Sequence, residues 1–99
     1  MQATRVLFDD IVNCQMYITG GVGSMGDGEA FTFDYDIPND RMYIETCASI
    51  ALLMTANRLN HVKPNGRYAV ICEKTLYNGI LSGISLDGTK YFYTNPMEM

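Results

Sequence analysis

The spacing of apolar residues along this chain predicts three helices. The first covers residues 3–16. Its apolar positions recur close to the 3.6-residue period of a helix: Val6 or Leu7, Ile11, Val12 and Met16. The second and most strongly predicted helix covers residues 41–60. A third is predicted over residues 67–77, before an Asn78-Gly79 pair that is typical of a helix C-terminus.

The second predicted helix is unusual because apolar residues lie on nearly every face of it. Asn39 or Asp40 can cap its start. Its apolar positions are Met42, Ile44, Cys47, Ile50, Ala51, Leu53, Met54, Ala56 and Leu59. A helix that is apolar all round is normally buried inside a structure larger than three helices. We therefore expect this surface to be covered by further protein or by self-association.

Two other stretches follow the two-residue period of a β-strand. From Phe31 to Ile37 aromatic or aliphatic residues alternate with Thr32, Asp34 and Asp36, which predicts a strand or extended arm. Residues 80–86 and 89–93 flank Asp87-Gly88, the best hairpin signal in the chain. The sequence therefore predicts a mainly α-helical chain with one small β-hairpin.

Composition narrows the class of protein. The chain has 99 residues, enough for one domain at most, and 47% of them are hydrophobic. Its net charge of -4 is spread out and leaves no basic patch, so we expect no nucleic-acid partner. The longest apolar run is too short to span a bilayer, and the N-terminus does not resemble a signal peptide. With three cysteines, which cannot all pair, a reduced cytoplasmic protein is predicted.

Glycines and carboxylates are concentrated between Gly20 and Ser49. Residues 21–26 match G-x-G-x-x-G, but Asp27 and Glu29 stand where a dinucleotide fingerprint needs a helix to open. We therefore favour a second interpretation, in which the glycines allow tight turns and close approach to a ligand or a neighbouring segment.

The sequence Glu45-Thr46-Cys47 places a carboxylate and a thiol two residues apart, and both groups can ligate zinc. In a regular helix such positions point about 200° apart. They could share a metal ion only if the helix starts near Glu45 or its first turn is irregular. The alternative is that Cys47 is a core cysteine and Glu45 a carboxylate favoured by the helix dipole.

Glu29 lies between glycines and aromatic residues, sixteen positions before Glu45. Two carboxylates beside an aromatic wall are typical of glycoside hydrolysis, in which one of them protonates the leaving oxygen. The alternative is that Glu29 is a solvated loop acid.

Six motifs, taken in order, resemble glycoside hydrolase family 127, the β-L-arabinofuranosidase group. They are YITGGVGS, GEAF, DYDIPND, ETCAS, LYNGILSGISLDG and YFYTNP, and the resemblance runs from about Asp9 to Pro96. It implies that residues 1–99 are a single segment of an (α/α)6 barrel catalytic domain. That domain removes terminal β-L-arabinofuranosyl units with retention, using a cysteine nucleophile held on zinc by one glutamate and three cysteines.

Carried over by motif, the resemblance implies specific roles for four residues. Glu29 of GEAF is similar to the general acid/base, and Glu45 and Cys47 of ETC resemble two of the four zinc ligands. Tyr93 of YFYTNP resembles a tyrosine that contacts the sugar. The paired cysteines of the family, including the nucleophile, follow YFYTNP and are absent from these 99 residues. We therefore expect the chain to be inactive alone.

Two other hypotheses stay open at this point. The chain could be a non-catalytic module that associates with itself through its apolar helix and merely retains the hydrolase motifs. Alternatively, Glu45 and Cys47 from two copies could form an intermolecular zinc site. In either case we expect a homo-oligomer, whereas an arabinofuranoside ligand is expected only for the parent enzyme.

Overall fold

The computed structural model describes residues 2–24, 31, 34–37 and 44–94, and these residues are mostly helical. Three α-helices form the framework: α1 (Gln2–Asp10), α2 (Thr46–Val62) and α3 (Gly66–Lys74). Two of them continue as π-helical turns, which we call π1 (Ile11–Gln15) and π2 (Thr75–Ile80). A 3-10 turn at Leu81–Gly83 follows π2 directly. The mainly helical prediction is therefore confirmed.

Helix α1 and π1 together confirm the first predicted helix. Phe8 is the buried residue of α1, and its ring meets Tyr68 of α3 edge to face at a centroid distance of 5.6 Å. Arg67 donates a hydrogen bond of 2.6 Å from Nη1 to Asp9 Oδ1 and forms an exposed ion pair with it. One apolar and one charged contact thus join α1 to the start of α3.

Helix α2 carries the core face of the chain. Its buried residues are spaced three or four positions apart: Thr46, Ser49, Leu52, Ala56 and Leu59. The same helix exposes Ile50 by 41% and Met54 by 52% on the opposite side. The helix is therefore apolar on both sides, as the sequence predicts, but the described residues cover only one of them.

The start of α2 is later than predicted. Glu45 occupies the N-cap position with extended backbone (ψ 136°), and Ile44 has a positive φ of 38°, so neither is helical. Residues 41–43 lie outside the described residues, as do Asn39 and Asp40, the predicted caps. Because Ile44 is only 1% exposed, it fills the core below the helix instead of extending it.

Helix α3 begins as predicted, because the Asn65 side chain accepts a hydrogen bond of 2.9 Å from the backbone N–H of Arg67. The predicted stop at Asn78-Gly79 is wrong, since π2 continues to Ile80. Gly79 is buried, and a Cβ there would lie 3.4 Å from the Thr19 carbonyl oxygen. This glycine serves close packing, not termination of the helix.

The predicted small β-hairpin is not formed as a pair of strands. Among the described residues, the two arms are paired as strands only at an isolated antiparallel bridge between Ile84 and Tyr91. Ser85 donates its N–H to the Lys90 carbonyl at 2.8 Å, and Gly88 turns the chain with a φ of 75°. A lone two-stranded hairpin is marginal in water, and Leu86 at its tip is fully exposed.

The aromatic arm predicted from Phe31 to Ile37 is also not a continuous strand. Asp34 and Tyr35 form a turn, and Tyr35 has a positive φ of 64°. Residues 32 and 33 lie outside the described residues. Within the part that the structure describes, no helix is both long enough and apolar enough to cross a bilayer.

Candidate functional site

Gly20 and Gly21, at the start of the glycine-rich segment, pack closely against other parts of the chain. A Cβ on Gly20, which has a φ of 86°, would lie 2.7 Å from Thr75 Oγ1 and 2.8 Å from Thr75 Cα. Thr75 in turn donates its hydroxyl to the Gly20 carbonyl at 3.3 Å. A Cβ on Gly21 would lie 2.6 Å from Ile44 Cγ2. The interpretation that these glycines allow a close approach to neighbouring segments is therefore confirmed for both positions.

The same segment returns to the start of α2. Tyr17 donates its N–H to the Gly21 carbonyl at 2.9 Å, which closes a tight turn, and Met16 and Val22 form an antiparallel bridge. Ile44 then donates its N–H to the Gly23 carbonyl at 2.8 Å. This bond joins the two ends of the stretch that contains the GEAF motif. Glu29 itself lies outside the described residues, so its role stays a prediction.

The backbone places three of the four predicted site residues near one another at the N-terminus of α2. Thr46 donates its N–H to the Tyr93 carbonyl at 2.9 Å and its hydroxyl to the Phe92 carbonyl at 2.6 Å. Glu45 and Thr94 pair as an antiparallel bridge. Glu45, Cys47 and Tyr93 are thus gathered around Thr46, although 46 positions separate Cys47 from Tyr93 in the sequence.

Glu45 and Cys47 could share a metal ion only if the helix started near Glu45, and the structure meets this condition. Because α2 begins at Thr46, Glu45 precedes the helix and does not share its regular rotation. Glu45 is half-buried, while Cys47 is exposed. A cavity of about 340 Å³ lies beside Cys47, with Lys90 and Tyr91 among the residues on its other side. The site therefore offers a carboxylate and a thiol at an accessible surface, a donor set that suits zinc.

A second group of potential ligands lies elsewhere. Ligand atoms of Asp10, Cys14 and Asp34 all lie within 4.8 Å of one another. The Gln15 amide donates to Asp10 Oδ2 at 2.9 Å and to Asp34 Oδ1 at 3.2 Å. Partial loss of hydration and the neighbouring Asp10 carboxyl raise the pKa of Asp34. Spacing in the sequence gave no sign of this group, because a turn brings Asp34 back to π1.

The three cysteines differ in their surroundings. All lie among the described residues, and none forms a disulfide. Cys72 is half-buried, with its Sγ 3.7 Å from the Leu53 carbonyl oxygen, and burial raises the pKa of its thiol. Hydrogen bonding to Cys14 is the main cause that raises the pKa of Tyr35. Only Cys47 lies at the start of α2 beside Glu45.

Comparison with known proteins decides the family. A family model described as the catalytic domain of GH127 β-L-arabinofuranosidase matches residues 1–99, the whole chain. The chain belongs to the GH127 family. A non-reducing end β-L-arabinofuranosidase of Bifidobacterium longum subsp. longum is 53% identical to it over 98 residues. The match covers 99% of this chain but 15% of that relative.

Solved GH127 structures agree with this assignment. The GH127 β-L-arabinofuranosidase from Geobacillus stearothermophilus T6 superposes with a TM-score of 0.93 at 53% identity, over 99% of this chain and 15% of its own. The GH127 β-arabinofuranosidase BT3674 gives a TM-score of 0.86 at 46% identity, over 90% of this chain and 14% of its own. The chain thus has the fold of one segment of the GH127 helical barrel and spans about 15% of its relatives' length.

Proposed function

We propose that residues 1–99 form the part of a retaining β-L-arabinofuranosidase that carries its acid/base and half of its zinc site. In this proposal Glu29 is the acid/base, Glu45 and Cys47 are zinc ligands, and Tyr93 contacts the sugar. The arabinofuranoside substrate is inferred from the activity named for the Bifidobacterium relative, which acts at a non-reducing end. The observation that carries the proposal is the convergence of Glu45, Cys47 and Tyr93 around Thr46.

The donor chemistry of the site is consistent with zinc. Glu45 supplies oxygen and Cys47 supplies sulfur, both of which are common zinc ligands, and Cys47 is exposed. A bound zinc ion would supply the positive charge that keeps cysteine sulfur ionised at neutral pH. Glu29, in its protonated form, would donate its proton to the leaving oxygen, and Tyr93 would orient the sugar.

The same proposal predicts that residues 1–99 alone do not hydrolyse a β-L-arabinofuranoside. Structural zinc sites almost always use four ligands, and Glu45 and Cys47 provide two. The chain has three cysteines, and none follows Cys72. Cys72 cannot replace the missing pair, because its thiol lies against the Leu53 carbonyl inside the α2–α3 contact. In this proposal, as the family resemblance implies, the cysteine nucleophile is supplied from outside residues 1–99.

The first test is to measure zinc content, mass in solution and arabinose release for the same purified chain. We expect weak zinc uptake that Glu45→Gln and Cys47→Ser both reduce, together with no release of arabinose from a β-L-arabinofuranoside. Cys72→Ser serves as the control and should leave zinc uptake unchanged. Arabinose release at an enzyme-like rate without a complementing chain would contradict the proposed inactivity. Zinc uptake that neither Glu45→Gln nor Cys47→Ser reduces would contradict the proposed zinc half-site.

A second candidate function, self-association without catalysis, is supported by the exposed apolar residues. Val6 and Leu7 of α1 are 61% and 65% exposed, and Ile50 and Met54 of α2 add a second exposed patch. Such surface is normally covered by protein. We expect a dimer or larger oligomer, and a monomer in sedimentation at micromolar concentration would contradict it. If copies share a zinc ion, Glu45→Ala should lower the amount of zinc bound per chain.

A further inference from the structure

Thr46 is the residue that connects the two halves of the candidate site. It lies between Glu45 and Cys47 in the sequence, yet it is 3% exposed, whereas Cys47 is exposed. Its side chain therefore points into the protein while its neighbour faces the surface. The residues that it contacts there belong to the 92–94 segment, which carries Tyr93.

Two hydrogen bonds from this one residue hold the 92–94 segment. The Thr46 hydroxyl donates to the Phe92 carbonyl at 2.6 Å, and the Thr46 N–H donates to the Tyr93 carbonyl at 2.9 Å. The first orphan N–H groups of a helix need partners of this kind, so the backbone bond alone would be unremarkable. The hydroxyl bond is different, because a residue without a side-chain donor at this position could not make it.

The antiparallel pairing of Glu45 with Thr94 depends on the same register. A displacement of the 92–94 segment along α2 would break this pairing and move Tyr93 relative to Glu45 and Cys47. Two adjacent carbonyls held by one buried side chain and its own amide resist such a displacement. The groups that would bind metal and sugar thus keep a defined spacing.

We propose that Thr46 is a positioning residue, which sets the distance between the sugar-contacting Tyr93 and the metal-ligating Glu45 and Cys47. This inference rests on the function proposed above, since only that function gives the three residues their roles. Thr46 touches neither metal nor sugar in this proposal. It acts through the 92–94 backbone on one side and through the start of α2 on the other.

Three substitutions in the 99-residue chain test this proposal. Thr46→Val removes the hydroxyl with little change of shape, and Thr46→Ser retains it. Thr55→Val is the matched control, because the Thr55 hydroxyl donates to the Ala51 carbonyl at 2.9 Å within the same helix and joins no second segment. Two quantities are measured for each variant: amide hydrogen exchange at position 46, and cobalt(II) affinity from thiolate-to-cobalt absorption.

For Thr46→Val we expect exchange at position 46 to accelerate and cobalt affinity to fall, each about fivefold to tenfold, the size expected for one lost hydrogen bond. In Thr46→Ser and Thr55→Val, both the exchange rate and the cobalt affinity should stay within about twofold of the unsubstituted chain, because the Thr46 hydrogen bond is kept. Far-ultraviolet circular dichroism should be unchanged in all three. Restoration by serine separates the role of the hydroxyl from simple packing, which serine would also disturb.

The outcomes separate this inference from the proposed function. Equal exchange and equal cobalt affinity in Thr46→Val and the unsubstituted chain would overturn the positioning role alone. Loss in Thr46→Ser as large as in Thr46→Val would also overturn it, because packing would then be the cause. An unsubstituted chain without thiolate-to-cobalt absorption would overturn the proposed metal half-site, and with it the role of Thr46 toward the metal.

Discussion

Carboxylate and thiol residues are neighbours at the start of α2 and again beside π1, and these two places are assembled in different ways. At the start of α2, Glu45 and Cys47 are near neighbours in sequence, and the Thr46 N–H and hydroxyl donate hydrogen bonds to the 92–94 segment. In the other group, the Gln15 amide donates hydrogen bonds to Asp10 and Asp34, and the Cys14 thiol lies within 4.8 Å of both carboxylates. The carboxylates of the second group take part in hydrogen bonds within that group, whereas the segments around the first group are joined through Thr46.

This difference matters because the presence of ligand atoms is not enough to make a metal site. Asp10 and Asp34 repel each other when both are ionised, and the Gln15 amide offsets part of that repulsion. The scaffold at the start of α2 instead consists of backbone carbonyls, a buried threonine and close-packed glycines. Substitutions in the two places should therefore have effects of different kind and size.

The largest expected effect comes from breaking the glycine contact below the start of α2. In Gly20→Ala, the new Cβ would lie 2.8 Å from Thr75 Cα, at a backbone φ of 86° that side chains disfavour. Strain and overpacking together should lower the free energy of unfolding by about 3 kcal/mol. Urea unfolding measures this loss of stability. Gly66→Ala is the control, because nothing lies within 4 Å of the added Cβ, and it should not destabilise. Equal stabilities of the two variants would contradict the close-packing argument.

A smaller effect, on metal affinity alone, should separate the two groups directly. Cys47→Ser replaces an exposed thiol beside Glu45 and should weaken cobalt(II) binding by at least about tenfold, since sulfur is the preferred ligand for this class of metal site. Cys14→Ser should leave the affinity unchanged, because the neighbouring carboxylates already hydrogen-bond to Gln15. Titration monitored by absorption measures both. A larger loss in Cys14→Ser would reverse our assignment of the two groups.

The sequence predicted the first of these groups and missed the second for a physical reason. Glu45 and Cys47 are two positions apart, so their proximity follows from the local chain, and only the start of the helix had to be found. The group of Asp10 and Asp34 depends on a turn at Tyr35 with a positive φ, which alternating apolar residues do not indicate. Pairing of Glu45 with Thr94 was equally invisible, because it depends on tertiary structure.

The fold shows the same division between local and tertiary causes. Periodicity identified α1, α2 and α3, because each buries one face on the others. It failed at Gly79, where burial against Thr19 outweighed the usual role of Asn-Gly as a helix stop. It also failed for the hairpin, since no further strand among the described residues supports the bridge between Ile84 and Tyr91. The apolar character of α2 predicts a larger structure around it, and the chain spans 15% of the length of its Bifidobacterium relative.

A pH effect should follow from the second group. The pKa of Asp34 is raised, first by partial loss of hydration and then by Asp10, so its ionised form is disfavoured in the folded chain. The free energy of unfolding should therefore decrease as the pH rises from near 3.8, the ordinary pKa of an aspartate, through the raised pKa of Asp34. Asp34→Asn should remove that decrease, as urea midpoints measured between pH 3 and roughly pH 7 would show. The same pH dependence in the variant would exclude Asp34 as its cause.

The smallest expected effect concerns Asp87, a carboxylate whose hydrogen bonds all favour ionisation. Asp87 Oδ1 accepts from Ser85 Oγ at 2.6 Å, from the Thr89 N–H at 3.1 Å and from Thr89 Oγ1 at 2.8 Å. The hydrogen bond from Ser85 is the largest of the causes that lower the pKa of Asp87 to about 2. The pH dependence of stability is opposite to that caused by Asp34. The folded chain favours the ionised form of Asp87, and the stability that this form contributes is lost as the pH falls.

The turn at residues 85–90 should therefore loosen as the pH falls from about 4 to about 2. Asp87→Asn should loosen it at all pH values, because an uncharged amide oxygen accepts these bonds more weakly. Exchange at the Thr89 amide measures both effects, and the amide of Thr46 is the control, since no carboxylate bonds to it. Because Asp87 is fully exposed, the change should stay local. If exchange at Thr46 rose with that at Thr89, the turn would be coupled to the start of α2 through the 92–94 segment.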